Sequence, residues 1–237
     1  MKSFNIILLL GLFTASTFAQ TVTLPPYYGV QTKPGFICGE STVTDYQGNV
    51  YNTVKIGEQC WFKENLRSTK YNDGTNIPNV TNNGAWYALT TPAYCWYENN
   101  YSTYGSVYGA LYNWYAVNTG KLCPLGWHVP SDVEWTQLSD FLGGEGVAGG
   151  KLKETGTTYW NSPNTGATNV SGFTALPGGC RSYLEGFYSL KISGNWWSSS
   201  EEDANYALDR NLNYNLSQLS TMIDNKWWGL SVRCVKD

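Results

Sequence analysis

The sequence has little of what nucleic-acid-binding proteins and most hydrolases require. It contains a single histidine, His128, and only 15 lysine and arginine residues against 18 acidic ones, for a formal net charge of −3. No basic cluster stands out anywhere along the chain. Because binding to phosphates depends on such clusters, we expect no nucleic-acid partner.

Long apolar runs are also missing after the first residues. The run over 4–13 is too short to cross a hydrocarbon layer of about 30 Å. With Lys2 before it and the small residues Thr17 and Ala19 after it, this run is typical of a secretory signal peptide. We predict a signal peptide over residues 1–19, with an uncleaved anchor as the alternative. The remaining chain is then secreted or held at the cell surface without spanning the membrane.

The cysteines lack the short spacing of metal sites. The two closest are 22 residues apart, whereas zinc sites favour pairs such as C-x-x-C. All follow the predicted cleavage site, and an even number in an oxidising compartment favours disulfides. We therefore predict, with the pairing left open, disulfides for Cys38, Cys60, Cys95, Cys123, Cys180 and Cys234.

Aromatic residues and glycine are abundant, with 11 Trp, 18 Tyr and 25 Gly. This composition indicates many turns and short strands. Residues 20–42 contain three prolines and are interpreted as an N-terminal arm or linker. A hairpin is predicted around the turn Asp45–Asn49. Further strands are predicted at Phe173–Leu176, Gly194–Ser198, Tyr206–Tyr214 and Leu230–Val235.

Two helices are predicted. The clearer one follows Pro130, where Ser131 and Glu134 form a capping box. Gly143 then ends this helix. Its apolar face is predicted to consist of Trp135, Leu138, Phe141 and Leu142. The second, weaker helix is predicted over residues 107–117.

Four segments in order carry a family resemblance: I-G-E-Q-C-W-F-K-E-N-L (56–66), L-C-P-L-G-W-H-V-P-S-D-V-E-W (122–135), G-F-T-A-L-P-G-G (172–179) with W-W-S-S-S-E (196–201), and S-V-R-C-V-K-D (231–237). Together they resemble the Fibrobacter succinogenes major paralogous domain of exported Bacteroidetes-type proteins, over about residues 43–237. More distantly, H-V-P-S-D-V-E-W is similar to a stretch of the sulfatase-modifying, formylglycine-generating proteins, and C-P-L-G-W to C-type lectin domains. The resemblance implies an α+β, C-type-lectin-like fold in which two helices flank a small twisted antiparallel sheet with long irregular loops.

Two further expectations concern the cysteines. We expect Cys123 and Cys234 to tie the helical region to the last strand. The sulfatase-modifying proteins use a cysteine pair, and here Cys180 and Cys234 would be the matching residues. An enzyme of that type, acting on an exported substrate, is the alternative function.

Metal and cofactor chemistry has little support. The W-N-D and E-P-N motifs of the calcium-dependent lectins are missing, so their sugar binding is not implied. No cofactor and no metal site is predicted. Calcium remains an open alternative because oxygen ligands are available from Asp203, Asn205, Asp209, Asn211 and Asn213.

No catalytic residue is predicted either. His128 stands just before the helix cap, where packing or hydrogen bonding explains it, and no G-x-S-x-G nucleophile motif is present. Two carboxylates for a glycosidase would have to come from Glu201, Glu202, Asp203 and Asp209, which an acidic surface explains as well.

The aromatic residues give the remaining candidate site. Exposed Trp and Tyr rings can stack on sugars, although most aromatic residues belong to cores. Core positions are predicted for Trp61, Trp114, Trp127, Trp135 and Trp197. The candidate binding residues are Tyr94, Trp96, Tyr97, Tyr101, Tyr104, Trp227 and Trp228. We expect an exported, non-catalytic binding or surface module whose ligand is a glycan or a surface protein.

Overall fold

The computed structural model describes residues 35–182 and 186–237. The predicted signal peptide, and the arm before residue 35, lie outside the described residues. The strands are β1 (Val43–Thr44), β2 (Val50–Tyr51), β3 (Thr53–Ile56), β4 (Gln59–Phe62), β5 (Tyr94–Cys95), β6 (Leu111–Tyr112), β7 (Trp127–His128), β8 (Gly178–Ser182), β9 (Gly186–Leu190), β10 (Ser193–Glu201), β11 (Tyr206–Asn213), β12 (Leu219–Asn225) and β13 (Val235–Lys236). The α-helices are α1 (Asn83–Tyr87), α2 (Ser106–Tyr108), α3 (Trp114–Val117), α4 (Asp132–Phe141) and α5 (Glu145–Leu152).

Two larger sheets organise the α+β fold. One has the strand order β12-β11-β10-β8-β9, and the other has the order β3-β4-β13-β7. Pairing is antiparallel except between β8 and β10, where Gly179 lies opposite Gly194 in a parallel contact. The sheet was expected to be antiparallel throughout, and this contact makes it a mixed sheet. Residues 229–231 pair with the five-stranded sheet, Gly229 with Arg181 on β8 and Ser231 with Trp196 on β10, before the chain enters β13 of the other sheet.

The first hairpin forms where the sequence predicts it. Val43 pairs with Tyr51, and the carboxylate of Asp45 accepts hydrogen bonds from the backbone N–H groups of Gln47 and Asn49. The tyrosine hydroxyl of Tyr51 donates to the same carboxylate. These bonds explain why an aspartate opens the turn.

Helix α4 confirms the capping-box prediction. The side chain of Ser131 accepts from the N–H of Glu134, and the Glu134 carboxylate accepts from the N–H of Ser131. Trp135, Leu138 and Leu142 are buried as predicted, but Phe141 is 64% exposed. Since successive residues are 100° apart around a helix, Phe141 falls beside the buried stripe rather than on it.

Helix α5 was not predicted, because two glycines in its last turns lower its helix propensity. The fold requires them. A Cβ at Gly149 would lie 2.2 Å from the carbonyl oxygen of Gln218, and one at Gly150 would lie 2.4 Å from that of Gly166. The close backbone approach packs α5 against the segment before β12.

The predicted helix over 107–117 is wrong as one continuous helix, because only its two ends are helical, in α2 and α3. Helix α2 ends at Gly109, whose φ of +81° is outside the helical region. The chain then runs through β6, where Leu111 pairs with Cys95, and the N–H of Tyr112 donates to the carbonyl of Leu230. Long-range strand pairing overrides the local helical pattern.

The predicted strands are partly present. Strands β10 and β11 cover two of them, and the last appears as β13, which is preceded by isolated bridges at Leu230 and Ser231. No strand forms over Phe173–Leu176; only Ala175 makes a bridge, to Lys153. Strand β11 is covered on both faces at its centre, because the neighbouring residues Asp209 and Arg210 are both buried.

The five tryptophans predicted for the core, Trp61, Trp114, Trp127, Trp135 and Trp197, are all buried. Their burial confirms that most rings of this aromatic-rich chain provide packing. No helix among the described residues is long and apolar enough to span a membrane.

Candidate functional site

Two disulfides connect distant segments of the fold. Cys38 is bonded to Cys60, and Cys123 to Cys234, with Cα–Cα distances of 5.9 and 6.0 Å. The second bond confirms the expected tie between the helical region and the last strand. It also excludes Cys180–Cys234, the pair on which the sulfatase-modifying alternative depends.

The prediction that all six cysteines form disulfides is wrong at Cys95 and Cys180. Both are buried free thiols. Cys95 lies opposite Leu111 and Cys180 lies opposite Tyr188, so neither has a cysteine as its cross-strand neighbour. Burial raises the pKa of each thiol to about 12. Both are therefore protonated at neutral pH and are poor nucleophiles.

The aromatic stretch over 94–104 divides between core and surface. Tyr94 and Tyr97 are buried, and each belongs to a cluster of the hydrophobic core. Tyr101 is 49% exposed and contacts the half-buried Trp96 with ring centroids 4.8 Å apart. Tyr104 is half-buried and packs edge-on against Tyr97. Of the five predicted platform residues in this stretch, Trp96, Tyr101 and Tyr104 reach the surface.

Trp227 and Trp228 belong to a second, continuous row of rings. Tyr87 lies 4.9 Å from Trp227, Trp227 lies 6.3 Å from Trp228, and Trp228 lies 6.2 Å from Tyr188, measured between centroids. Tyr87 is 45% exposed and the other three rings are half-buried. We call these four residues the aromatic surface. Its two tyrosines, Tyr87 and Tyr188, are not among the binding residues predicted from the sequence.

Arg181 explains how the aromatic surface is assembled. Its backbone pairs with Gly229, next to the two tryptophans. Its buried guanidinium donates to the carbonyls of Val80 and Thr81 and to Asn83 Oδ1, at 2.7, 2.8 and 2.7 Å. These bonds place helix α1, which carries Tyr87, beside Trp227.

Two carboxyl groups lie close to the aromatic surface, and we call them the acidic pair. Asp209 on β11 is fully buried, and Asp224 on β12 is half-buried. Burial, followed by the charge of Asp224, raises the pKa of Asp209 well above its ordinary value. Burial raises the pKa of Asp224 to about 6. Burial is the largest of the causes that raise the pKa of Tyr188, and the charge of Asp224 adds to it, so the acidic pair lies near the ring row.

His128 is held between two carboxylates. Its Nδ1 lies 2.6 Å from Asp237 Oδ1, and its Nε2 lies 2.8 Å from Glu134 Oε1. The hydrogen bond to Glu134 is the largest of the interactions that raise the pKa of His128 to about 9. This side chain links the start of α4 to the last residue, as a structural role requires.

The oxygen ligands considered for calcium do not converge as a loop. Asp203 caps a turn by accepting from the N–H groups of Asn205 and Tyr206. Asp209 and Asn211 instead share one face of β11. Over the described ranges, no group of three or more His, Cys, Asp or Glu side chains is arranged to hold a metal ion.

The fold defines an α+β domain braced by two disulfides, with its last strand paired between β4 and β7. Residues 54–236 match the model of the Fibrobacter succinogenes major domain, and the chain belongs to this family. The resemblance carried by the four sequence segments is thereby confirmed. No curated protein and no solved structure matches the chain.

Proposed function

We propose that this chain is an exported, non-catalytic binding module with a C-type-lectin-like fold, and that it binds a glycan on its aromatic surface. The observation that carries the proposal is the row of four partly exposed rings from Tyr87 through Trp227 and Trp228 to Tyr188. Aromatic faces stack against the C–H faces of pyranose rings. Neighbouring rings of this row are inclined to one another by 79°, 57° and 83°, so individual rings rather than one flat platform would contact the sugar.

A polar group beside the rings supports the choice of a sugar. The half-buried carboxyl of Asp224 lies near Tyr188 and is an acceptor when ionised. Sugar hydroxyls can donate to such a carboxylate.

The non-catalytic and exported character has separate support. The single histidine is engaged by two carboxylates, and both free thiols are buried with raised pKa values. The two disulfides suit an oxidising compartment. Helices α4 and α5 against one face of a sheet, with long loops beyond it, suit the C-type-lectin-like fold.

The test is affinity electrophoresis of the purified protein through gels that contain xylan, mannan, β-glucan or soluble chitin oligosaccharides. We expect at least one polysaccharide to retard the protein. The variants Trp227→Ala and Trp228→Ala should each weaken the retardation by about tenfold, as for an anchoring aromatic residue.

Phe141→Ala is the control, since Phe141 is an exposed aromatic residue on α4 that lies outside the aromatic surface. It should leave retardation unchanged. Equal retardation of the control and both tryptophan variants would contradict the assignment of the site. Lack of retardation by every polysaccharide, together with capture of a surface protein that requires Trp227, would replace the glycan by a protein ligand.

A further inference from the structure

Strand β12 is an outer strand of the five-stranded sheet and is paired on one side only, with β11. Its 7 residues, Leu219–Asn225, are all in register with β11, and no bulge interrupts the ladder. The other side of an outer strand displays a row of backbone N–H and C=O groups, which proteins usually protect with lysine, proline or a bulge. The segment L-S-T-M-I-D-N of β12 has none of these.

The hydrogen-bond pattern shows which backbone groups of β12 face outward. The N–H of Lys226 donates to the carbonyl of Asn205 at 2.9 Å, and these two residues extend the β11–β12 register by one pair. Hydrogen-bonded and non-hydrogen-bonded pairs alternate along an antiparallel ladder, so every second residue of β12 directs its N–H and C=O away from β11. These residues are Leu219, Thr221 and Ile223. Within the described part of the chain, their backbone groups have no hydrogen-bond partner.

The side chains at the centre of β12 are apolar and exposed on both faces of the sheet. Met222 is 45% exposed and Ile223 is 53% exposed. Since successive residues of a strand point to opposite faces, one of these side chains lies on each face. A strand added to this edge would therefore cover apolar surface as well as pair the backbone groups.

The other outer strands of the two larger sheets are short or protected. In β9, Ser189 has a φ of +63°, which is outside the extended region. In the four-stranded sheet, β7 has 2 residues, and β3 carries Lys55, whose side chain is 56% exposed. Strand β12 differs from all three, because it is long, regular and free of basic side chains.

We propose that β12 pairs antiparallel with β12 of a second copy of this chain, with the twofold axis at Met222. This register places Thr221 opposite Ile223 of the second copy, so that the outward groups of both residues bond to each other. The twofold axis repeats the same pair on its other side, as an isologous interface requires.

The side chains of β12 are complementary to themselves in this register. Met222 meets Met222 of the second copy in a non-hydrogen-bonded pair, where side chains lie closest. Asp224 lies opposite Ser220 rather than opposite another Asp224, so no like charges face each other. A single pair of strands of this length is a small interface, and we expect a reversible dimer. The pairing requires no ligand on the aromatic surface.

Sedimentation velocity of the purified protein, from about 1 μM to 1 mM, measures the association. We expect the average mass to rise with concentration from that of a monomer towards that of a dimer. Sedimentation as a monomer at every concentration would overturn the proposal.

Charge substitutions at the twofold axis test the register. Met222→Lys and Met222→Glu each place like charges opposite each other and should weaken association at least about tenfold. An equimolar mixture of the two variants should restore the dimer, because opposite charges then face each other. Val133→Lys is the control, since Val133 is a 65% exposed apolar residue on α4, and it should leave association unchanged.

Thr221→Pro tests the backbone pairing separately. It removes an N–H that faces away from β11, a position at which an outer strand accepts proline. We expect it to weaken association while melting curves show that this variant and the two Met222 variants remain folded. A dimer that persists in both Met222 variants and in Thr221→Pro would overturn the proposal, because a different surface would then hold the two copies together.

Discussion

Cys234 is bonded to Cys123, which lies 111 residues earlier in the chain. The bond joins the loop before β7 to the segment that leads into β13, and these two strands are also paired through His128 and Val235. It therefore closes a large loop that includes both longer helices and the whole five-stranded sheet. The Cys38–Cys60 bond has a sequence separation of only 22.

Removing the longer crosslink should cost more stability than removing the shorter one. A crosslink restricts the unfolded chain by an amount that grows with loop length. We expect Cys123→Ser with Cys234→Ser to lose about 5 kcal/mol of unfolding free energy, and Cys38→Ser with Cys60→Ser about 3 kcal/mol. Denaturant titrations of the two double variants measure the difference. An equal or reversed order would contradict the loop-length argument.

The two remaining cysteines should not react with alkylating reagents while the protein is folded. Both thiols are buried and have pKa values of about 12. We expect iodoacetamide to modify neither Cys95 nor Cys180 under native conditions, and both in denaturant without reductant. Mass spectrometry counts the added groups. Six modified cysteines after reduction serve as the control, and no modification in denaturant alone would reveal a third disulfide.

Local signals in the sequence were sufficient for some elements only. The capping box at Ser131 predicted α4, because its hydrogen bonds form within four residues. The turn at Asp45 was predicted for the same reason. Helix α5 was missed because the need for Gly149 arises from Gln218, which is distant in sequence. Residues 107–117 were misassigned because their partners, Cys95 and Leu230, also lie far away.

The residues of the candidate site were likewise predictable from the sequence only in part. Trp227 and Trp228 were recognised as an adjacent pair of rings. Tyr87 and Tyr188 join them only through the contacts of Arg181 and the register of β9, which no local pattern reveals. Asp209 was considered as a calcium ligand with its neighbours in sequence. Its structural partner is Asp224, on the opposite strand β12.

The ion pair of His128 predicts a pH dependence of stability. Its pKa of about 9 in the folded protein is above the unfolded value, so the contribution of the charged ring is complete below pH 6.5 and is lost as the pH rises through 9. Although burial opposes the shift, hydrogen bonds from His128 and Ser131 lower the pKa of Glu134 to about 2. The carboxylate contribution is therefore present above pH 4.5 and is lost as the pH falls towards 2.

His128→Gln should accordingly be less stable than the unmodified protein between about pH 4.5 and 6.5, and the gap should close above about pH 9. Because the His128 side chain is 39% exposed, solvent screening limits the expected gap to about 1 kcal/mol. Thermal melts across this pH range measure it. A gap that stays constant up to pH 10 would indicate a packing role rather than an ion pair.

Two glycines of α5 provide a matched pair for testing the packing of that helix. Gly149 is buried and has the Gln218 carbonyl oxygen 2.2 Å from the position of an added Cβ, whereas Gly146 is exposed and has nothing within 4 Å. Gly149→Ala should lose about 3 kcal/mol, since the helix must move away from a backbone carbonyl. Gly146→Ala should gain about 0.5 kcal/mol, since alanine has the higher helix propensity and meets no obstacle.

The two substitutions add the same methyl group to the same helix, so their difference isolates the close contact. Denaturant titration of each variant gives the free energies of unfolding. Similar values for both would mean that α5 does not pack directly on the segment before β12. Opposite signs would establish that this contact, rather than local propensity, is the reason for a glycine at position 149. The sequence pattern E-G-V-A-G-G-K-L would then be explained by tertiary packing at a helix whose local propensity is weak.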